Sequence, residues 1–175
     1  ELDETKSFAT ATGTYMYNSF DSNANPTRGM EFNLEANATQ NITDEEPFAY
    51  VKPQFTLYNA ISQNRKLVLR TTALGQFNFG DGYEFYQAAQ LGRDYGLRGY
   101  RRDRFTGESA LAGQADLRYS FPSFRTALTP IQIGVLGGYD VGRVWVPNDM
   151  SDEWHSSYGG GIWINAANLA SGTVN

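Results

Sequence analysis

Arginine is concentrated in one short stretch of the sequence, YGLRGYRRDRF at residues 95–105, although the chain as a whole carries a net charge of −5. An arginine side chain keeps its charge and offers five donors in a rigid fork that fits a carboxylate. The chemistry open to this stretch is therefore ionic contact with carboxylates. Asp116 and Asp140 are candidate acceptors, because both fall on the polar side of alternating sequences that predict strands.

Signs of catalytic or cofactor chemistry are scarce. The sequence has no cysteine, so disulfides, thiolate zinc sites and thiol catalysis are excluded. Its one histidine, His155, has no convincing triad partner, and we interpret it as a surface side chain. We find no G-x-S-x-G elbow, P-loop, H-E-x-x-H or calcium-binding motif. We therefore expect no enzyme activity, no catalytic residue, no metal site and no cofactor. The net negative charge of the chain also gives no indication of a basic surface that would bind nucleic acid.

An alternation of apolar and polar residues with a period of two runs through most of the chain and predicts β-strands. It is clearest at 29–41, where Phe32 and Leu34 alternate with Glu31 and Asn33. With 18 glycines, 14% aromatic residues and no helical stripe, the composition favours an all-β, antiparallel fold. The predicted strands are 8–20, 29–41, 49–60, 66–80, 110–121, 131–145, 157–166 and the beginning of an eighth at 171–175.

Compact turns alternate with longer or more charged connections along the chain, as in an outer-membrane barrel. The turns are 21–29, 62–66, 122–130 and 168–172, and the longer connections are 41–48, 81–109 and 147–157. Predicted strands of roughly ten to thirteen residues match the ~9–11 that cross a bilayer at a tilt, whereas no apolar run approaches the ~18 needed for a spanning helix. A soluble antiparallel sandwich or barrel would show the same alternation, because periodicity does not say which face points outward.

The longest connection, residues 81–109, has no obvious secondary structure. A structureless loop of this length is uncommon in a compact domain and usually has a function. If the loop folds back into a wet lumen, it can aim a guanidinium at Asp116 and Asp140, which would point inward from their strands.

Three stretches resemble, in matching order, the barrel of the BamA/TamA-type outer-membrane protein assembly family, also called the bacterial surface antigen family. GLRGY at 96–100 resembles the conserved motif of its long sixth extracellular loop, and AGQADLRYSFP at 112–122 resembles the strand that follows. GGYDVGRVW at 137–145 resembles the strand with an aromatic-x-Asp-x-Gly element, here Asp140 and Gly142. Two positions differ, because Gly138 replaces the expected aromatic residue and Asp116 replaces the usual Glu.

The resemblance covers nearly the whole chain, since NPTRGMEFNLEA at 25–36 is also similar to an upstream turn and strand of the family. It implies a partial C-terminal transmembrane β-barrel domain over 1–175, with about seven to eight strands of a sixteen-stranded barrel and a long lumen-directed loop at 81–109. The upstream strands, the periplasmic POTRA domains and the last strands would lie outside the sequence.

The function that the resemblance implies is the insertion or translocation of other outer-membrane proteins, in the bacterial cell outer membrane. The expected partners are outer-membrane lipid or lipopolysaccharide, client outer-membrane proteins and accessory assembly subunits, with no nucleic acid. Arg98 is expected to act as an internal latch that holds the loop to the wall, while Arg101, Arg102 and Arg104 are expected to be solvated or to face lipopolysaccharide. The expected site comprises the loop residues Leu97, Arg98, Gly99 and Tyr100 and the wall residues Asp116, Asp140 and Gly142.

Two other classes of function stay open at this point. Similar barrels anchor or export a fused hydrolase domain, and a soluble ligand-binding β protein would show the same periodicity.

Overall fold

The structure is a computed structural model that describes residues 7–43, 46–80, 83–125, 130–147, 153–166 and 170–174. Its main feature is one long antiparallel sheet that curls into part of a barrel. The all-β prediction is therefore confirmed. The connections at 41–48, 81–109, 122–130, 147–157 and 168–172 lie partly outside the described residues. The strands are β1 Phe8–Asn18, β2 Gly29–Asn41, β3 Pro47–Ala60, β4 Leu67–Phe79, β5 Ala89–Leu91, β6 Phe105–Gly107, β7 Ser109–Ser120, β8 Phe124–Arg125, β9 Pro130–Trp145, β10 His155–Ala166 and β11 Ala170–Val174.

Each long strand pairs with its neighbour in sequence, in the order β1-β2-β3-β4-β7-β9-β10-β11, and β8 adds a short pairing to β9. The pairing is antiparallel throughout, so adjacent strands are joined by local connections. The exception is the β4–β7 pair, which encloses the long connection. Among the described residues, no helix is long and apolar enough to span a membrane.

The long connection is folded rather than structureless, which corrects the expectation from sequence. It contains a 3-10 turn at Phe85–Gln87 and a two-stranded ribbon in which β5 pairs with β6. These elements are only three residues long, too short for periodicity to reveal. The connection stays ordered because its apolar side chains pack against the wall. The buried cluster that joins connection and wall consists of Leu74, Ala89, Leu91, Leu97, Ala110 and Ala112.

The connection lies on the polar face of the sheet, which we call the inner face. Gln114 of β7 donates to the carbonyl of Gly96 at 3.3 Å, and Asp116 and Asp140 are 7% and 3% exposed beneath the connection. The opposite, outer face carries large apolar side chains that remain exposed, such as Leu117 and Ile162. The predicted alternation thus separates a polar inner face from an apolar outer face.

Candidate functional site

A tight segment of the long connection carries Arg98, and Leu97 anchors it. Leu97 is fully buried in the cluster described above, and its amide donates to the carbonyl of Gly92 at 3.0 Å. Gly96 has a φ of 88°, and a Cβ there would lie 2.7 Å from the Cβ of Ala112. Only glycine fits this position without strain. The two constraints fix the direction in which the Arg98 side chain leaves the loop.

Arg98 contacts Asp140 of β9 through both its backbone and its side chain. The Arg98 amide donates to Oδ2 at 2.9 Å, and Nε lies 3.1 Å from each carboxylate oxygen. Nη2 donates to Oδ1 at 2.5 Å, and Ser157 Oγ donates to Oδ2 at 3.3 Å. The Asp140 side chain is only 4% exposed. A buried carboxylate requires partners of this kind, and Asp140 has them from both the loop and β10.

Asp116 of β7 is the second carboxylate that Arg98 contacts. Nη2 donates to Oδ1 at 2.7 Å and Nη1 to Oδ2 at 3.2 Å, which is a two-pronged contact. Arg70 of β4 donates to the same Asp116 Oδ2 at 3.0 Å. Two arginines and two aspartates therefore form one ionic network that connects the loop to three neighbouring strands.

Sequence reasoning missed Arg70. The sequence offered only strand phase, which puts Arg70 on the polar face of the predicted strand 66–80, and the β4–β7 register places it directly opposite Asp116. Opposite charges at facing cross-strand positions stabilise a strand pair.

The guanidinium of Arg98 stays charged. Hydrogen bonding to Asp140 raises the pKa of Arg98 above its usual value, burial opposes this shift, and Asp116 strengthens it. Arg98 therefore acts as a fixed positive charge in this network.

Glycines leave room for the network. A Cβ at Gly138 would lie 2.9 Å from Arg98 Nη2 and would overlap Asp116 Oδ1. The guanidinium of Arg98 and the carboxylate of Asp116 thus fill the space that the expected aromatic side chain at position 138 would need. A Cβ at Gly142 would lie 3.0 Å from both Ala112 Cβ and Leu91 Cδ1, and one at Gly99 would lie 2.6 Å from Ser157 Cβ.

Tyr100 attaches the loop to the start of β10. Its hydroxyl donates to the carbonyl of Ser156 at 3.1 Å, and its ring meets Phe105 edge-on at 5.0 Å. His155 stacks on Phe105 with 3.7 Å between ring centroids, and its side chain is 18% exposed. The expectation that His155 is a surface side chain is therefore wrong, because its inward direction at the start of β10 places it against the loop.

The remaining arginines of the loop motif, Arg101, Arg102 and Arg104, are exposed. Arg102 pairs with Asp94 at 2.5 Å, but these side chains are 74% and 50% exposed, and such pairs contribute little. Within the described ranges, no group of three or more His, Asp or Glu residues could hold a metal ion. The ionic network around Arg98 therefore attaches the long connection to strands β4, β7 and β9.

A model of the Omp85 superfamily domain matches residues 2–170. A search of curated proteins found no match.

Proposed function

The chain belongs to the Omp85 superfamily, and we propose that it forms the loop-bearing part of a BamA/TamA-type barrel that inserts or translocates other outer-membrane proteins. Omp85 proteins are bacterial outer-membrane proteins that generally assemble or transport other proteins rather than catalyse reactions. They generally work with client outer-membrane proteins and accessory subunits. For this chain we propose the same location, the same kinds of partner and contact with lipid or lipopolysaccharide.

The outer face of the sheet supports a membrane location. Many of its large apolar side chains are exposed, including Tyr139 at 50%, Ile162 at 55% and Ile164 at 48%. Soluble monomers rarely leave so extended an apolar surface uncovered. Contact with lipid gives these side chains an apolar environment, while the polar inner face and the loop remain in a wet lumen.

The sheet also has two edges, β1 and β11, each with one partner strand among the described residues. Open edges do not persist within a bilayer, since each unpaired backbone group there costs several kcal/mol. We therefore assign 1–175 to one part of a larger barrel, with further strands completing both edges.

The observation that carries the proposal is the contact of Arg98 with both Asp116 and Asp140. It joins the loop to β7, which directly follows it in sequence, and to β9, which lies beyond β7 in the sheet, and so works as a latch. Leu97, Gly99, Tyr100 and Gly142 support the latch through packing and close approach. In a barrel that accepts client strands by edge pairing, the client pairs at a seam between the first and last strands. A latched loop would keep the wall formed by β4, β7 and β9 rigid while the seam opens.

The experiment uses the complete protein in proteoliposomes with an unfolded outer-membrane protein as client. Folded client is measured by its resistance to heat in detergent gels. We expect the wild type to accelerate client folding over protein-free liposomes, and Arg98→Ala to slow it, because the latch is lost. Arg101→Ala is the matched control, since that arginine is exposed and lies three residues away.

No acceleration by the wild type would refute the insertion function. Acceleration that is equal in the wild type, Arg98→Ala and Arg101→Ala would leave the insertion function standing but remove the latch from it.

A further inference from the structure

The connection between β1 and β2 crosses the inner face of the sheet. Asn25 Nδ2 donates to Gln132 Oε1 of β9 at 3.1 Å, and Arg118 Nη2 of β7 donates to the carbonyl of Pro26. The sequence predicts only a compact turn here. In the strand order, however, β7 and β9 lie on the far side of β3 and β4 from this connection. The connection therefore reaches across the concave side of the sheet rather than simply closing a hairpin.

A cavity of about 350 Å³ lies between this connection and the latch. Its volume is roughly ten times the ~30 Å³ that one water occupies in the liquid, so it can hold a small solute with some water. The lining includes Pro26, Arg70, Arg98, Asp116, Arg118 and Trp163.

The charges around this cavity do not balance. Three arginines line it, and Asp116 is its one lining carboxylate. Asp116 accepts from Arg70 and Arg98, and Arg98 also pairs with Asp140, so these two arginines are balanced by two aspartates. Arg118 has no carboxylate within salt-bridge distance in the described part of the chain. Its guanidinium lies between aromatic rings, 5.3 Å from Trp163 and 5.9 Å from Tyr58. A partly buried cation without a carboxylate in direct contact is unfavourable.

Hydrogen-bond acceptors are also in short supply here. Nε of Arg70 and Nε of Arg118 are shielded from solvent and have no partner among the described residues, whereas Nε1 of Trp163 packs against Gly134 of β9. Buried donors normally have a partner. The arginines around the cavity thus outnumber its carboxylates, and some of their donors have no acceptor.

We infer that this cavity binds a small oxyanion, a phosphate or a carboxylate group, with Arg118 as its principal ligand. The rings of Trp163 and Tyr58 hold the guanidinium in place, and the β1–β2 connection closes the cavity on the side away from the latch. An oxyanion supplies both missing features, because it carries negative charge and offers several acceptors to an arginine fork. The inference rests on the packing of the inner face and does not depend on the insertion function.

The test titrates inorganic phosphate into the complete protein in detergent, at constant ionic strength. The readout is the fluorescence of Trp163, with the other tryptophans of the protein changed to Phe. We expect a saturable change in emission. The apparent dissociation constant should rise at least tenfold in Arg118→Gln and less in Arg118→Lys, which keeps the charge but not the fork. Arg101→Gln is the control and should bind phosphate like the parent, and heat resistance in detergent gels verifies that each variant is folded.

The occupant can also be a carboxylate side chain from elsewhere in the complete protein. In that case the parent shows no phosphate response, an experimental structure of the complete protein places a carboxylate within about 4 Å of Arg118, and changing that residue to its amide restores phosphate binding. Phosphate binding that is unchanged in Arg118→Gln would overturn the inference. So would the lack of a phosphate response combined with the lack of a carboxylate near Arg118.

Discussion

Removal of the Arg98 side chain tests the latch most directly. In Arg98→Ala, Asp140 loses its contacts with Nε and Nη2, and Asp116 loses both of its contacts with the guanidinium. Asp140 keeps the backbone amide of residue 98 and Ser157, while Asp116 keeps Arg70. The loss is therefore large but incomplete.

The free-energy cost of Arg98→Ala follows from the burial of the network and from the contacts that remain. Breaking a fully buried ion pair costs ~3–5 kcal/mol, and exposed pairs are worth far less. The Arg98 side chain is 31% exposed and both carboxylates keep a donor, so we expect a cost of about 2–3 kcal/mol. At about 1.4 kcal/mol per factor of ten, the equilibrium constant for loop opening rises roughly 30- to 150-fold.

Hydrogen exchange in the complete protein measures this opening. The amides of Leu97 and Tyr100 are hydrogen-bonded within the loop, at 3.0 and 3.1 Å. We expect their protection to fall by the factor given above in Arg98→Ala and by less in Arg98→Lys, while amides in the middle of β7 keep theirs. Arg101→Ala should leave the loop amides unchanged. Wild-type protection of Leu97 and Tyr100 in Arg98→Ala would refute the reasoning.

Three further substitutions test other contacts. Gly138→Val should loosen the loop, because its side chain would collide with Arg98 and Asp116. Gly137→Val is the control and should leave the loop in place, since Gly137 is on the outer face and the nearest neighbour of a Cβ there lies at 4.0 Å. Equal hydrogen exchange of the loop in the two variants would contradict the packing argument. Burial, reinforced by Glu35, raises the pKa of Tyr95 from 10.0 to about 12, so its contribution to loop stability should be present below pH 10 and lost towards pH 12. Tyr95→Phe should remove that pH dependence and cost ~1 kcal/mol through the lost bond to the Gly75 carbonyl, and a titration of loop exchange that is identical in both proteins would exclude the assignment. For Asp21, burial works in the opposite direction, but hydrogen bonds from Thr27 and Arg28 lower its pKa from 3.8 to about 2. Its contribution to the β1–β2 connection should therefore be present above pH 3.8 and lost as the pH falls through 2, and an unaltered acid transition of the Arg28 amide in Asp21→Asn would argue against it.

Periodicity located the long strands well because it acts over ten or more residues. The predicted 29–41 matches β2, and the predicted 66–80 differs from β4 by one residue at each end. The match to the Omp85 superfamily domain also confirms the family resemblance. Periodicity failed where structure depends on distant packing, as in β5 and β6 within the long connection. It likewise gave no sign that Asn25 reaches Gln132, 107 residues further along the chain.

Part of the candidate site could also be predicted from the sequence. Strand phase put Asp116 and Asp140 on the inner face, and the loop motif singled out Arg98, so the residues that meet could be named. Arg70 and His155 were missed because each owes its role to a partner in another element. Arg70 required the β4–β7 register, and His155 required knowledge of where Phe105 would lie.

The latch residues are far apart in the chain, since Asp116 lies 18 positions after Arg98 and Asp140 lies 42 positions after it. The complete network can therefore form only after β7 and β9 have paired, which makes its completion a late folding event. A slip of β9 by one residue would turn Asp140 outward and present Tyr139 or Val141 to the lumen instead. Arg98 would then meet an apolar side chain. Docking of the loop thus distinguishes a sheet with β9 in the correct register from one in which β9 has slipped, because the ionic network stabilises only the correct register.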